Sequence, residues 1–84
     1  MTTYEQRQKL LDVEKARLRA MSRRLRIMYG YSQQNFAELC EVTQEQISLF
    51  ERDMIDSNKI HEHTLNRLYR EYSNLEQRWS SKDT

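Results

Sequence analysis

Residues 25–51 read LRIMYGYSQQNFAELCEVTQEQISLFE, and the fold is decided there. Gly30 can take the left-handed conformation that ends a helix. Ser32 is a natural N-cap for a second helix over residues 33–40. Thr43 caps a third over residues 44–52, and with Gln46 it forms a Thr-x-x-Gln capping box. The stretch is therefore two short helices joined by a tight turn, the second offering polar groups outward.

Outward from that stretch, residues 4–29 hold neither Gly nor Pro and are rich in Gln, Glu, Lys, Arg and Leu, which predicts one long helix. Tyr4, Leu11, Leu18 and Leu25 recur at heptad spacing. Met21 and Met28 fill the alternate seam position, held earlier by Arg7 and Glu14, so the seam is convincing only from Leu18 onward. On the far side, residues 54–59 form a polar connection with Asp56, Ser57 and Asn58 as capping candidates. A last helix over residues 60–79 carries the stripe Leu65, Leu68, Tyr72, Leu75 and Trp79. Residues 80–84 read as a disordered tail.

Composition narrows the class. In 84 residues there is one Gly and no Pro, while 32% are charged, which suits helices joined by short polar turns and argues against a sheet protein. The expectation is an all-α bundle of four to five helices forming a single domain over residues 1–79. A core of this size is marginal, so long helices or dimerisation should contribute to stability. The sole cysteine, Cys40, excludes an intrachain disulfide and fits a reducing, cytoplasmic setting. No apolar run approaches membrane-spanning length, and the polar N-terminus is unlike a signal peptide.

Net charge is only +1, but its distribution is uneven. Lys15, Arg17, Arg19, Arg23, Arg24 and Arg26 lie together with no acid among them, while Glu38, Glu41, Glu45 and Glu51 gather in the two-helix unit. Two readings of the basic segment stand level. It meets phosphates, or it is a helix face paired with nearby acids.

The chain resembles the λ-repressor-like helix-turn-helix family (phage repressor and Cro, XRE type) over residues 23–72. Arg26, Ile27, Gly30, Ser32 and Gln33 match that family's Arg-apolar-x-x-Gly-x-Ser-Gln signature. Phe36 and Ala37 stand where it has Leu-Ala, Cys40 takes a buried apolar position, Val42, Ile47 and Phe50 continue the core, and Glu51 matches its near-constant acid. The Phe50-Glu51 pair is also similar, more distantly, to POU-specific domains, whose central turn carries an insertion missing here. The departures are Glu41 and Asp53 at usual glycines and Leu49 at a position more often polar or basic.

This resemblance implies a buried Arg26–Glu51 ion pair that ties the first helix to the third. It also implies that Gln33, Thr43, Gln44, Glu45, Gln46, Ser48 and Leu49 face DNA, with Arg52 and Lys59 on the phosphate backbone. A Gln amide such as that of Gln44 can read adenine bidentately, Glu45 can accept from cytosine N4, and Leu49 can pack on a thymine methyl. The implied function is a sequence-specific, double-stranded DNA-binding transcriptional regulator, bacterial or phage-encoded, acting as a homodimer on a palindromic operator. Tyr4, Leu11, Leu18, Leu75 and Trp79 are the candidate dimer or partner seam. The second half of the first helix's seam is expected to pack within its own domain.

A reading from another class stands beside it: a protein-interaction module, antirepressor or assembly adaptor, that keeps the fold but not DNA binding. Its support is the acidic reading face and the two long amphipathic helices. An excised domain of a larger regulator is a third. No enzyme signature appears, and no cofactor or metal is expected. His61 and His63, two residues apart, cannot share one helical face and read as a linker or helix start.

Overall fold

The computed structural model describes residues 4–55 and 59–82, side chains being described from Leu11 to Ile55 and from Lys59 to Trp79. Among them are four helices and no strand: α1 (Tyr4–Met28), α2 (Gln33–Cys40), α3 (Gln44–Glu51) and α4 (Glu62–Lys82). The capping candidates Asp56, Ser57 and Asn58 lie outside the described residues, as do Asp83 and Thr84.

Local chemistry sets each boundary. Gly30 takes φ 76° and closes α1, its N–H reaching Ile27 O at 2.9 Å. Ser32 Oγ accepts from Asn35 N at 3.0 Å, capping α2. The Thr43–Gln46 box is reciprocal: Gln46 N donates to Thr43 Oγ1 at 3.1 Å, and Thr43 N donates to Gln46 Oε1 at 2.9 Å. Such a box satisfies two of the donors that a helix N-terminus leaves open.

The turn keeps the left-handed geometry that glycine usually supplies. Glu41 sits at φ 60°, ψ 43°, a conformation costing a side-chain-bearing residue about 1–2 kcal/mol. Arg67 of α4 donates to Glu41 Oε2 at 3.1 Å and holds it there. Asp53 repeats the arrangement after α3, at φ 59° with its carboxylate on Arg19 of α1. Each strained acid is thus tied to an arginine of a long helix.

Two boundaries depart from the sequence reading. The last helix starts at Glu62, two residues later than expected, because His61 caps it: His61 O accepts from Leu65 N at 2.9 Å and His61 Nδ1 from His63 N at 3.2 Å. Helix α4 also continues to Lys82, so Ser80, Ser81 and Lys82 are helical where a disordered tail was expected. The apolar stripe ends at Trp79, but once a helix is nucleated each added residue gains a backbone hydrogen bond, so it can extend a few residues past its buried face.

The core joins all four helices. Leu18 and Leu25 of α1, Phe36, Ala37 and Cys40 of α2, Ile47 and Phe50 of α3, and Leu68, Tyr72 and Leu75 of α4 form one buried cluster. Tyr72 lies between two aromatic neighbours, stacked on Phe50 at 4.9 Å between centroids and tilted against Phe36 at 4.8 Å. Ala37, small and buried, faces the same cluster as Phe50 and lets α2 and α3 approach closely.

Leu18 packs within the domain, as expected for the second half of the first helix's seam, and the burial of Leu75 removes it too from the candidate partner seam. Both are spent inside the chain and are not available to a partner. Leu11 and Trp79 remain outside, at 54% and 45% exposure, while the Tyr4 side chain falls outside the described part.

Candidate nucleic-acid interface

Helix α3 is held from behind by a buried charge cluster. Arg26 reaches Glu51 through two contacts, Nε to Oε2 at 2.6 Å and Nη2 to Oε1 at 3.0 Å. Its remaining Nη1 donates to Tyr31 O at 2.8 Å, while Tyr31 N returns to Arg26 O at 3.2 Å. Glu51 also accepts from Tyr72 OH at 2.7 Å and from Gln33 Nε2 at 3.3 Å. Among the described residues, no buried polar side-chain atom is left without a partner.

Protonation in this cluster follows from those contacts. Burial pushes the Glu51 carboxyl up, but hydrogen bonds from Arg26, Tyr72 and Gln33 outweigh it and hold the group below the usual carboxylate range. The Glu51 hydrogen bond raises Arg26 further above its ordinary value, against the opposing effect of burial. Tyr72 is raised, first by burial and then by donating to Glu51, so its hydroxyl stays a donor.

In front of the cluster, α3 presents an outward arc. Gln44, Glu45 and Arg52 are exposed and Ser48 is half-buried. Each residue advances a helix by ~100°, so these positions share one side while Ile47 and Phe50 take the other. Leu49 does not belong to the arc. It is 7% exposed, turned a further step round the helix, and its carbonyl accepts Met54 N at 2.8 Å as the chain leaves α3. The expected thymine-methyl contact is therefore corrected: burial withdraws this apolar side chain from the outer surface.

The other expected contact residues divide by what they already hold. Thr43 and Gln46 are engaged in the capping box. Gln33 is half-buried, its amide turned to Glu51 rather than free at the start of α2. Lys59 is exposed beyond α3. Gln44, Glu45, Ser48 and Arg52 are thus brought together, and Gln33 joins the cluster behind them.

Most of the basic segment is engaged by partners within the chain. Arg17 pairs with Glu14 and Glu76, at 3.0 and 2.7 Å. Arg19 holds Asp53 and Tyr69 OH, and Lys15 Nζ lies 5.4 Å from the centre of the Tyr69 ring. With Arg26 on Glu51, four of the six cations serve the fold, and the reading in which they pair with acids applies to three of them. Arg23 and Arg24 are exposed, and among the described residues neither makes an ion pair.

Three members of these clusters were not foreseen: Tyr72, the Tyr31 carbonyl and the Gln33 amide, all on Arg26 or Glu51. The Tyr72 stripe position marks a buried ring, but nothing in local spacing reveals the partner of its hydroxyl. The Arg67–Glu41 and Arg19–Asp53 pairs span 26 and 34 residues and leave no periodic trace either.

Cys40 is buried, and burial first, then the nearby Glu71, pushes its thiol up to about 12, against the effect of Arg67. It is protonated at neutral pH and so a poor nucleophile. Among the described residues no group of three or more His, Cys, Asp or Glu stands together to hold a metal ion, and no helix is long and apolar enough to cross a membrane. Compared with protein-family models, curated proteins and solved structures, the chain matches none of them.

Proposed function

We propose that α2, its turn and α3 form a helix-turn-helix of the λ-repressor-like kind. In this reading the chain binds double-stranded DNA sequence-specifically, as a transcriptional regulator of Cro or phage-repressor type. The observation that carries this is the outward arc of α3 and its C-cap: Gln44, Glu45 and Arg52 exposed beside Ser48, on a helix braced by Glu51. A rigid helix with short polar side chains at its N-terminal end is what fits the major groove.

The roles follow from chemistry. Gln44 donates to adenine N7 and accepts from N6, and Glu45 accepts from cytosine N4. Arg52 and Lys59 neutralise phosphates and set register without carrying sequence information. A two-fold dimer on a palindromic operator would be joined through Leu11 and Trp79, the members of the seam left exposed. No catalytic step and no cofactor are assigned, and the setting proposed is the bacterial or phage-infected cytoplasm.

The rival reading, an adaptor that binds protein instead, is favoured by one specific observation. Arg17, Arg19 and Arg26 are consumed by internal pairs, and Glu45 brings a carboxylate to the surface that would face a polyanion.

Selection from a random duplex pool separates the two. The regulator reading expects an enriched palindrome, affinity falling steeply with salt as phosphates release counterions, and a Gln44→Ala variant that loses about 1–3 kcal/mol at one base position alone. A pool that stays random after repeated rounds sinks the regulator and leaves the adaptor.

A further inference from the structure

Helix α1 has two faces, and only one is used by the fold. Leu18, Ser22, Leu25 and Arg26 are buried on the side packed against α3 and α4. On the opposite side, Val13, Ala16, Ala20, Arg23, Arg24 and Ile27 are all exposed, at successive steps of three or four residues with the two arginines side by side. Ile27 is 55% exposed although it is one of the larger aliphatic residues of the chain. Ala20, Arg23, Arg24, Ile27 and Met28 line a shallow depression of about 410 Å³, and every lining residue comes from α1 itself. Among the described residues, no other element lines this depression.

The charge of the face is equally unmet. The sequence holds no acid between Glu14 and Glu38, and Glu14 is already bound to Arg17. Arg23 and Arg24 are the arginines of the basic segment that the fold leaves without a counter-charge among the described residues. An exposed apolar strip beside uncompensated charge is a recognised mark of an interaction surface.

We infer that the outer face of α1 is a docking site for an amphipathic α-helix of a partner protein, with acidic side chains flanking its apolar anchors. Carboxylates of that helix meet Arg23 and Arg24, whose planar guanidinium groups suit bidentate pairing. Its apolar side chains pack on Ile27 and Val13, and the small Ala16 and Ala20 let its backbone approach closely. The mode is helix against helical groove, read by anchors three and four residues apart. A second copy of this chain is a poor occupant. The same face of a second copy carries no acid over residues 15–37 to meet Arg23 and Arg24, and like charges across an interface oppose association. The site faces away from α3, so it is independent of the duplex reading.

The test uses the whole chain as bait for a displayed library of helical peptides randomised at their surface positions. Enriched peptides should carry Asp or Glu beside apolar residues at helical spacing. Reversing both charges, Arg23→Glu with Arg24→Glu, should weaken them by about tenfold or more, and Ile27→Ser should weaken them independently of salt. Arg70→Glu, an exposed charge on α4, should leave affinity unchanged. Thermal melts check that each variant folds, and Arg23→Gln with Arg24→Gln gives a smaller loss in the same direction should the reversed pair not fold. The proposal is overturned by no enrichment over empty bait, by enriched peptides without acids, or by equal binding to the charge-reversed chain. It also falls if the same variant loses binding to phosphatidylglycerol vesicles or to random duplex while peptide binding persists.

Discussion

Two arginines of α1 make the same two-pronged contact with a glutamate, one in the interior and one at the surface. Arg26 meets Glu51 at 2.6 and 3.0 Å with side chains only 8% and 3% exposed, whereas Arg17 meets Glu76 at 2.7 and 2.9 Å with 44% and 25% exposed. Both tie α1 to a distant element, to α3 in the first case and α4 in the second. Water competes for one pair and is excluded from the other. The energetic weight of an ion pair therefore follows its surroundings far more than its geometry. The interior pair also has further partners in Tyr72, Gln33 and the Tyr31 carbonyl, while the surface pair shares Arg17 with Glu14.

The largest effect expected from this contrast is at the buried end. Arg26→Ala or Glu51→Ala strands the opposite charge in the interior and should cost about 3–5 kcal/mol in urea unfolding. For so small a domain that approaches its whole stability. A midpoint within a few degrees of the parent in thermal melts of both variants would erase the distinction between the two pairs.

Next comes Tyr72→Phe. The ring keeps its stacking on Phe50 and its tilted contact with Phe36, but Glu51 loses a donor to a side chain that is only 3% exposed. A hydrogen bond to a buried charged group contributes about 1.5–3 kcal/mol, so urea midpoints should fall measurably with the helical content of the folded state unchanged. An unchanged midpoint would show that Arg26 and Gln33 alone satisfy Glu51.

Acid sharpens the comparison without mutation. Glu51 and Glu76 are both held below the ordinary carboxylate value of 4.5, Glu51 against the cost of its burial and Glu76 by Arg17. A group with a folded pKa below its unfolded one contributes stability fully present above the unfolded value and lost as pH falls through the folded value. Urea midpoints should be level above pH ~5 and drop on acidification below it. Most of that drop should survive added salt, because salt screens the surface pair and not the buried one. Stability unchanged down to pH ~3 would contradict the assigned direction of both shifts.

Smallest of all is Arg17→Ala. The pair it removes is open to solvent, so the melting midpoint should shift only slightly and the shift should vanish in high salt. A loss comparable with that of Arg26→Ala would mean that the α1–α4 junction depends on this contact.

Much of the architecture was legible residue by residue. Ser32, Thr43 with Gln46, and Gly30 marked helix ends to within a residue, since caps and left-handed turns are made by neighbours in the chain. The apolar stripe of α4 marked the face that is buried from Leu68 to Leu75, because helical period alone decides which side chains align. The candidate site was less legible. Gln44, Glu45 and Arg52 were foreseen on the surface and are exposed, but Ser48 is half-buried, Leu49 turned inward and Gln33 turned to Glu51. Resemblance to a signature locates a position on a helix; it does not say what lies opposite.

The sequence by itself marked where the helices of an expected four- to five-helix bundle lie, the ends of the first three and the identity of most core residues, because those depend on interactions spanning a turn or two. Tertiary structure alone decided which cations remain for a partner. Lys15, Arg17, Arg19, Arg23, Arg24 and Arg26 are a single basic run on paper, yet packing α1 on α3 and α4 brings Asp53, Glu51, Glu76 and the Tyr69 ring to four of them. Charge pairing is a matter of distance in space, and the helix period sends Arg23 and Arg24 to a side of α1 where, among the described residues, no acid pairs with them.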